Sequence, residues 1–358
     1  MINWLSSMNQ TYEFYKVSPI TWEDDAKIDT VQSCTINRDS SNSTLGSATI
    51  DTNEVMDECY IRIYMSIKQN QNGKKYDETK KVPLGTFLFQ TPSYGFDGKV
   101  SKYTMDGYTP LIELKGTPPP IGYSILKDEP IMDIASRICQ ENIRAPVIPA
   151  TSEEILHTNF VAELDDTWLT FLSDLIANAK YEFSLDEYGQ ISFDPICDTA
   201  SLQPVWTYDD SNSSILYPDI QDERDLYGIP NVVEVVYSTD EEKYFSRVVN
   251  NDKNSPISVV NRGREVVYRE TSPGVTGSVN QAYIDNYAAQ LLRNLSCLEH
   301  KVTYTHGYCP VRVGDCVRLD YKKAGLDNVK AKVISQSIKC ETGCPVEETA
   351  VYTTKLWR

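Results

Sequence analysis

The sequence has 358 residues, 51 of them acidic and 34 basic, for a formal net charge of −17. With 41% hydrophobic and 10% aromatic residues it can fill the cores of two or three domains, which excludes a disordered solvating chain, while its acidity opposes DNA or RNA binding by phosphate neutralisation. The opening Met1–Gln10 has neither a basic nor an apolar leader region, no stretch approaches the roughly 20 apolar residues of a membrane helix, and nine scattered cysteines fit reduced thiols, so cytosolic synthesis without a membrane anchor is expected.

From Cys59 to Ile67 the residues alternate, with Cys59, Ile61, Ile63, Met65 and Ile67 on one side and Tyr60, Arg62, Tyr64 and Ser66 on the other, which predicts a half-buried strand. A polar, glycine-containing loop, Gln69 to Lys81, leads to a second strand, Gly85–Gln90, that stops at Thr91-Pro92. A third, Lys102–Tyr108, follows the turn Phe96-Asp97-Gly98-Lys99. These strands predict an antiparallel sheet or barrel over residues 1–115. The stiff segment Lys115–Pro120 marks a boundary.

An α/β region is predicted over 116–215. Pro130 opens a helix near 131–142 whose apolar stripe is Ile131, Ile134, Ala135, Ile138 and Cys139. A second helix, near 167–179 and capped by Asp165 or Asp166, buries Trp168, Leu169, Leu172, Leu175, Ile176 and Ala179. A hairpin over 181–194 turns at Asp186-Glu187-Tyr188-Gly189, with glycine closing the turn. Over 216–358 strands return, at Val232–Tyr237 and Tyr244–Val249, with a polar loop Asn250–Pro256 behind them. A helix over 280–296 aligns Ile284, Tyr287, Ala288, Leu291, Leu292 and Leu295 and is expected to pack on the C-terminal strands. Those strands are placed at Val311–Leu319, Val329–Ser337 and Thr349–Leu356.

Candidate chemistry is sparse. Cys309 and Cys316 form one cysteine pair and Cys340 and Cys344 another, with His300 and His306 just upstream, so a zinc site is conceivable. The spacing is not that of a zinc finger, Cys316 sits among alternating apolar residues and Cys309 precedes a proline, so buried thiols without a structural metal are expected. The three histidines, His157, His300 and His306, lie in no recognisable motif, and the G-x-S-x-G, HExxH, P-loop and G-x-G-x-x-G signatures are all missing. No catalytic, cofactor-binding or metal residue is assigned on this basis. A carboxylate pair for glycoside hydrolysis stays open among 51 acidic residues, although Asp165-Asp166, Asp209-Asp210 and Glu241-Glu242 equally suit helix caps and solvated turns. The 23 tyrosines suit carbohydrate stacking, strand packing or interface burial.

Three groups of segments carry a resemblance. One is Leu84–Phe89 with Phe96-Asp97-Gly98 and Tyr103–Leu114. Another is Thr167–Ala177 with the hairpin Asp186–Phe193. The last is Ile229–Val235, Ser255–Ser258 and Gly263-Arg264, followed by the helix to Leu295 and Pro310–Leu319. In this order the segments resemble the central hub proteins of phage tail baseplates and related contractile particles of Gram-positive bacteria, and the helix and hairpin resemble those of type VI secretion spike hubs.

The resemblance implies an α+β, β-rich chain with two tail-tube-like β-barrel domains, at 1–115 and 216–358, and small α/β domains inserted at 116–215. It implies a non-enzymatic homotrimer that adapts a sixfold tail tube to a threefold spike or tail tip and lines the channel for DNA and tape-measure protein. Implied partners are the tail tube or distal tail protein, the spike or tail-tip protein, other baseplate proteins and the tape-measure protein, in a virion tail made in the bacterial cytoplasm. Some hubs carry a lytic extension; a sequence ending at Trp357-Arg358 leaves no room for one, so lytic activity is not expected. No contact residue is carried over, and no specific nucleic-acid binding is implied. A channel that passes DNA should not hold phosphates, and the acidic balance fits that, as it fits plain solubility. The rival expectation is a cell-wall carbohydrate-active hydrolase associated with a tail tip.

Overall fold

The computed structural model describes residues 2–69, 79–96, 98–99, 101–238, 242–271, 273 and 279–357. Asp97 of the expected turn, most of the Gln69–Lys81 loop, Glu241 and Arg358 lie outside the described residues. The chain divides into two compact units, Met1–Ile220 with Tyr304–Thr349, and Gln221–Thr303 with Ala350–Arg358. Each unit gathers segments distant in sequence, whereas the sequence pattern divides the chain into consecutive stretches at 115/116 and 215/216.

The first unit is built on β1 (Asn9–Val17), β2 (Asp24–Ile28), β3 (Val31–Asp39), β4 (Gly46–Thr52), β5 (Cys59–Lys68), β6 (Lys80–Phe96) and β7 (Ser101–Tyr108). Their order is β2-β1-β5-β6-β7-β4-β3, all antiparallel. The elements α1 (Ile112–Lys115), β8 (Ser124–Ile125), α2 (Ile131–Asn142), β9 (Phe160–Val161), α3 (Trp168–Asn178), β10 (Tyr181–Leu185) and β11 (Ile191–Pro195) form the α/β part. After β12 (Trp206–Asp209) the chain enters β13 (Leu216–Arg224) and leaves the unit at Ile220.

The second unit holds β14 (Val232–Ser238), β15 (Lys243–Val249), α4 (Val259–Arg262), β16 (Val267–Glu270) and α5 (Gln281–Leu295). Then come β17 (Cys297–Gly307), β18 (Cys316–Tyr321), β19 (Leu326–Lys339) and β20 (Pro345–Lys355). The first half of β19 pairs with β18, which also pairs with β12, and the second half pairs with β3. That split explains why 304–349 packs with the N-terminal strands. Among the described residues the strand path is open and does not close on itself. The β-rich α+β class is as expected.

Strand β5 departs from the expected half-buried pattern, because Tyr60, Arg62, Tyr64 and Ser66 are buried as well as the opposite face. Ile61, Ile63, Met65 and Ile67 join the core with Ile36, Ile50, Phe87 and Met105. Tyr60 joins a separate core formed by α1, α2 and α3, and Ser66 donates to Glu13 Oε1 at 2.7 Å. The polar face is thus covered by other parts of the chain, not by water. The stripes of α2 and α3 are buried as expected, Phe171 with them. The cap of α3 is Thr167, not Asp165 or Asp166: Thr170 N–H donates to Thr167 Oγ1 at 3.2 Å and Thr167 N–H donates to Thr170 Oγ1 at 2.8 Å.

Among the described residues helix α5 buries Ile284, Ala288 and Leu292 on Val233 and Val235 of β14, with Trp357 packed on the same cluster; its main seat is β14 and β15, where the sequence pattern points to the C-terminal strands. The stretch Val311–Asp315 is a turn and not strand: Asp315 N–H donates to Arg312 O at 3.1 Å and Gly314 holds φ +95°, so β18 starts only at Cys316.

Candidate functional site

Where the hairpin β10–β11 turns, the chain presses on the N-terminal strands of the first unit. Gly189 sits at φ +75°, and an added Cβ would lie 3.0 Å from Thr86 Cβ, 3.2 Å from Trp22 Cζ2 and 3.3 Å from Pro110 Cγ. Only glycine gives both the backbone and the clearance. Trp22 Nε1 donates to Tyr188 O at 2.8 Å, and Thr86 Oγ1 donates to Glu187 O at 3.1 Å. Arg62 of β5 donates from Nε to Thr86 Oγ1 at 3.0 Å, from Nη2 to Trp22 O at 3.1 Å and to Tyr188 O at 3.3 Å, and pairs with Asp24 at 2.7 Å. A charge otherwise costly to bury is therefore fully engaged.

Glu187 starts a polar chain through the same unit. Its carboxylate takes Arg312 Nε at 2.8 Å and a second Arg312 nitrogen, Nη2, and stands 3.5 Å from Arg38 Nη2. Arg38 donates to Leu84 O at 2.7 Å and to Gln336 Oε1 at 3.2 Å, and Gln336 Nε2 donates to Glu348 Oε2 at 2.6 Å. Glu348, with no exposed surface, also accepts from Tyr304 at 2.6 Å and lies 3.5 Å from His306 Nε2. Tyr208 Oη completes the line, 3.1 Å from His306 Nε2 and 3.2 Å from Cys309 Sγ.

Burial alone lowers the His306 pKa, but hydrogen bonds with Cys309 and Glu348 and the Glu348 charge outweigh it and raise it to about 10. Burial first, then Glu348, pushes the phenols of Tyr208 and Tyr304 well above their usual range. These groups keep their protons at neutral pH, and the network acts as an internal fastening between the hairpin turn and strands β3, β12, β17, β19 and β20. Beside Glu187 and Arg312 opens a cleft of about 360 Å³, lined by Leu45, Phe87, Ile176 and Phe183 and edged by a Lys332–Glu182 pair at 3.4 Å.

The residues singled out from the sequence are dispersed. Cys309 contacts Tyr208 and His306, Cys316 donates to Val317 O, Cys340 meets Cys34 and Cys344 lies in the β-strand core. All nine cysteines are free thiols. His300 belongs to the second unit, where it stacks on Tyr352 at 4.3 Å and lies 3.1 Å from Asp222 and from Thr354; His157 is exposed. Among the described residues no three His, Cys, Asp or Glu groups are arranged to hold a metal ion. Asp166 accepts from Glu163 N at 2.8 Å and Thr170 Oγ1 at 3.0 Å, and Asp209 accepts from Ser211 N and Oγ, while Asp165 and Asp210 are exposed. Glu241 lies outside the described residues. Sequence reasoning missed Arg38, Glu187, Arg312, Gln336 and Glu348; the one available signal was Arg62, a lone cation inside an alternating strand.

In the second unit the quoted segments 229–235, 255–258 and 263–264 converge on one buried side chain. Asn231 Nδ2 donates to Ile257 O and Arg264 O, each at 3.0 Å, and its Oδ1 accepts from Val266 N at 2.7 Å. Both polar ends of the amide are satisfied, as burial demands.

No protein-family model and no curated protein matches the sequence. Solved structures do. A tail protein from Neisseria meningitidis MC58 aligns over 96% of this chain and 97% of its own at 12% identity and a TM-score of 0.61. The 43 kDa tail protein of prophage MuSo2 from Shewanella oneidensis aligns over 95% and 97% at 12% identity with the same score, 0.61. Prophage tail protein gp18 from Listeria monocytogenes EGD-e aligns over 95% and 94% at 12% identity and 0.51. The resemblance drawn from the sequence segments thus holds at the level of the fold, which this chain shares with phage tail proteins along nearly its whole length.

Proposed function

We propose that this chain is a structural component of a phage or phage-like tail and, within it, the hub of the baseplate or tail tip. The observation that supports the reading best is the fold likeness to phage tail proteins over both compact units; it is a fold-level analogy, joined to the order of the hub-like segments in the sequence. In this reading three chains assemble, each offering a tube-like β domain within 1–115 and another within 216–358, with 116–215 as the inserted α/β part. Six such domains form a ring that meets a sixfold tail tube or distal tail protein above and a threefold spike or tip below, alongside other baseplate proteins and the tape-measure protein.

The hub works through shape and interfaces, without catalysis. Its lumen is acidic or neutral, since each phosphate–cation contact would add a salt-sensitive hold on passing DNA. Gene deletion with complementation tests the reading. Cells lacking the chain should produce tubes without a baseplate or tip, and antibody to the chain should label one tail end in the complemented strain. Complete, functional tails in its absence would reject it.

A further inference from the structure

Two cysteines that the sequence places far apart face each other in the first unit. In the β3–β19 ladder Ile36 is opposite Ile338 and Thr35 opposite Lys339, so the next pair is Cys34 and Cys340, and Cys340 N–H donates to Cys34 O at 2.9 Å. Directly opposed residues of an antiparallel pair project from one face, with Cα atoms about 5.5 Å apart when hydrogen-bonded. Disulfides span Cα separations of about 4.4–6.8 Å, a range that includes this register, and closing one draws the two Cβ atoms together by about 1 Å. The two thiols influence each other's titration, and both are free.

We propose that Cys34 and Cys340 are a disulfide-forming pair, closed by exchange with a low-molecular-weight disulfide such as oxidised glutathione. Cys340, the half-buried member, loses its proton and attacks one sulfur of the small disulfide, displacing a thiolate that takes up that proton. Cys34 then loses its proton and attacks the Cys340 sulfur of the mixed disulfide, expelling the second small thiol. Two cysteine thiols are oxidised by two electrons, and one small disulfide is reduced to two thiols. The new bond ties β3 covalently to the chain just after β19, across the widest sequence separation in the unit's sheet.

Interaction with the Cys34 thiol, then burial, holds the Cys340 thiol well above its usual range, so closure is slow at neutral pH and quickens as pH rises. Cys344 is the competing thiol: it is fully buried in the same core.

The full-length chain is equilibrated in buffers of oxidised and reduced glutathione, alkylated, and mapped by mass spectrometry without reduction. A second arm refolds it from denaturant in the same oxidising buffer, so that shielding of the folded thiols cannot mask the pairing. The expected product is a single Cys34–Cys340 linkage with loss of two hydrogens, unchanged in Cys344→Ser and abolished in both Cys34→Ser and Cys340→Ser. Both thiols still alkylatable in both arms, or Cys340 joined to Cys344 instead, would overturn the proposal.

Discussion

Gly189 and His306 show how single residues hold the first unit together. At Gly189 the backbone occupies the left-handed region and a methyl group would press on Thr86 and Trp22. Gly189→Ala should lower stability by about 1–2 kcal/mol from backbone strain alone, with crowding added, measured as a drop in denaturation midpoint. His306 gives a pH signature. Its folded pKa, about 10, stands above its ordinary 6.5, so the folded state keeps a proton that the unfolded chain releases. The stabilisation is complete below the unfolded pKa and is lost as pH rises through the folded one. Between pH 6.5 and about 10 stability should therefore fall with a slope approaching 1.4 kcal/mol per pH unit, roughly one proton's worth, and His306→Gln should flatten that slope. Equal slopes for the two proteins would show that His306 is neutral in the folded state.

Among the elements, those with a local period were legible and those fastened by remote partners were not. Ile131, Ile134, Ala135, Ile138 and Cys139 mark α2 because a helix repeats its own face every three or four residues. The hairpin turn was legible from Asp186 and Gly189, but not its seat on Trp22, Arg62 and Thr86, which come from three distant segments. Strand β5 misled for the same reason: Tyr60 and Arg62 read as a wet face until the covering residues are known. Nothing in the local pattern singles out Glu348 or Gln336, yet they are the centre of the buried network.

Helix α5 offers the sharpest test at this scale. Leu292 is fully buried against Val233 and Val235, while Leu291 is only partly covered. Leu292→Ala should cost about 2–5 kcal/mol and Leu291→Ala clearly less, read from urea denaturation of each variant. Equal effects would place both leucines at the same depth and remove α5 from its seat on β14 and β15.

For the whole molecule, the proposed hub role is one filled by assembly, and the assembled particle is where it is tested. The acidic excess of the sequence, −17, then matters by location: carboxylates toward the lumen would leave DNA unheld, and basic residues there would retain it in a salt-dependent way. Electron cryomicroscopy of intact tails made in the presence of the chain tests the central claim most directly. The map should show three copies at the tube's distal end, two β domains of each forming a sixfold-like ring around an acidic or neutral channel. A tail end without this chain, or one holding it as an isolated monomer off the axis, would contradict the hub assignment.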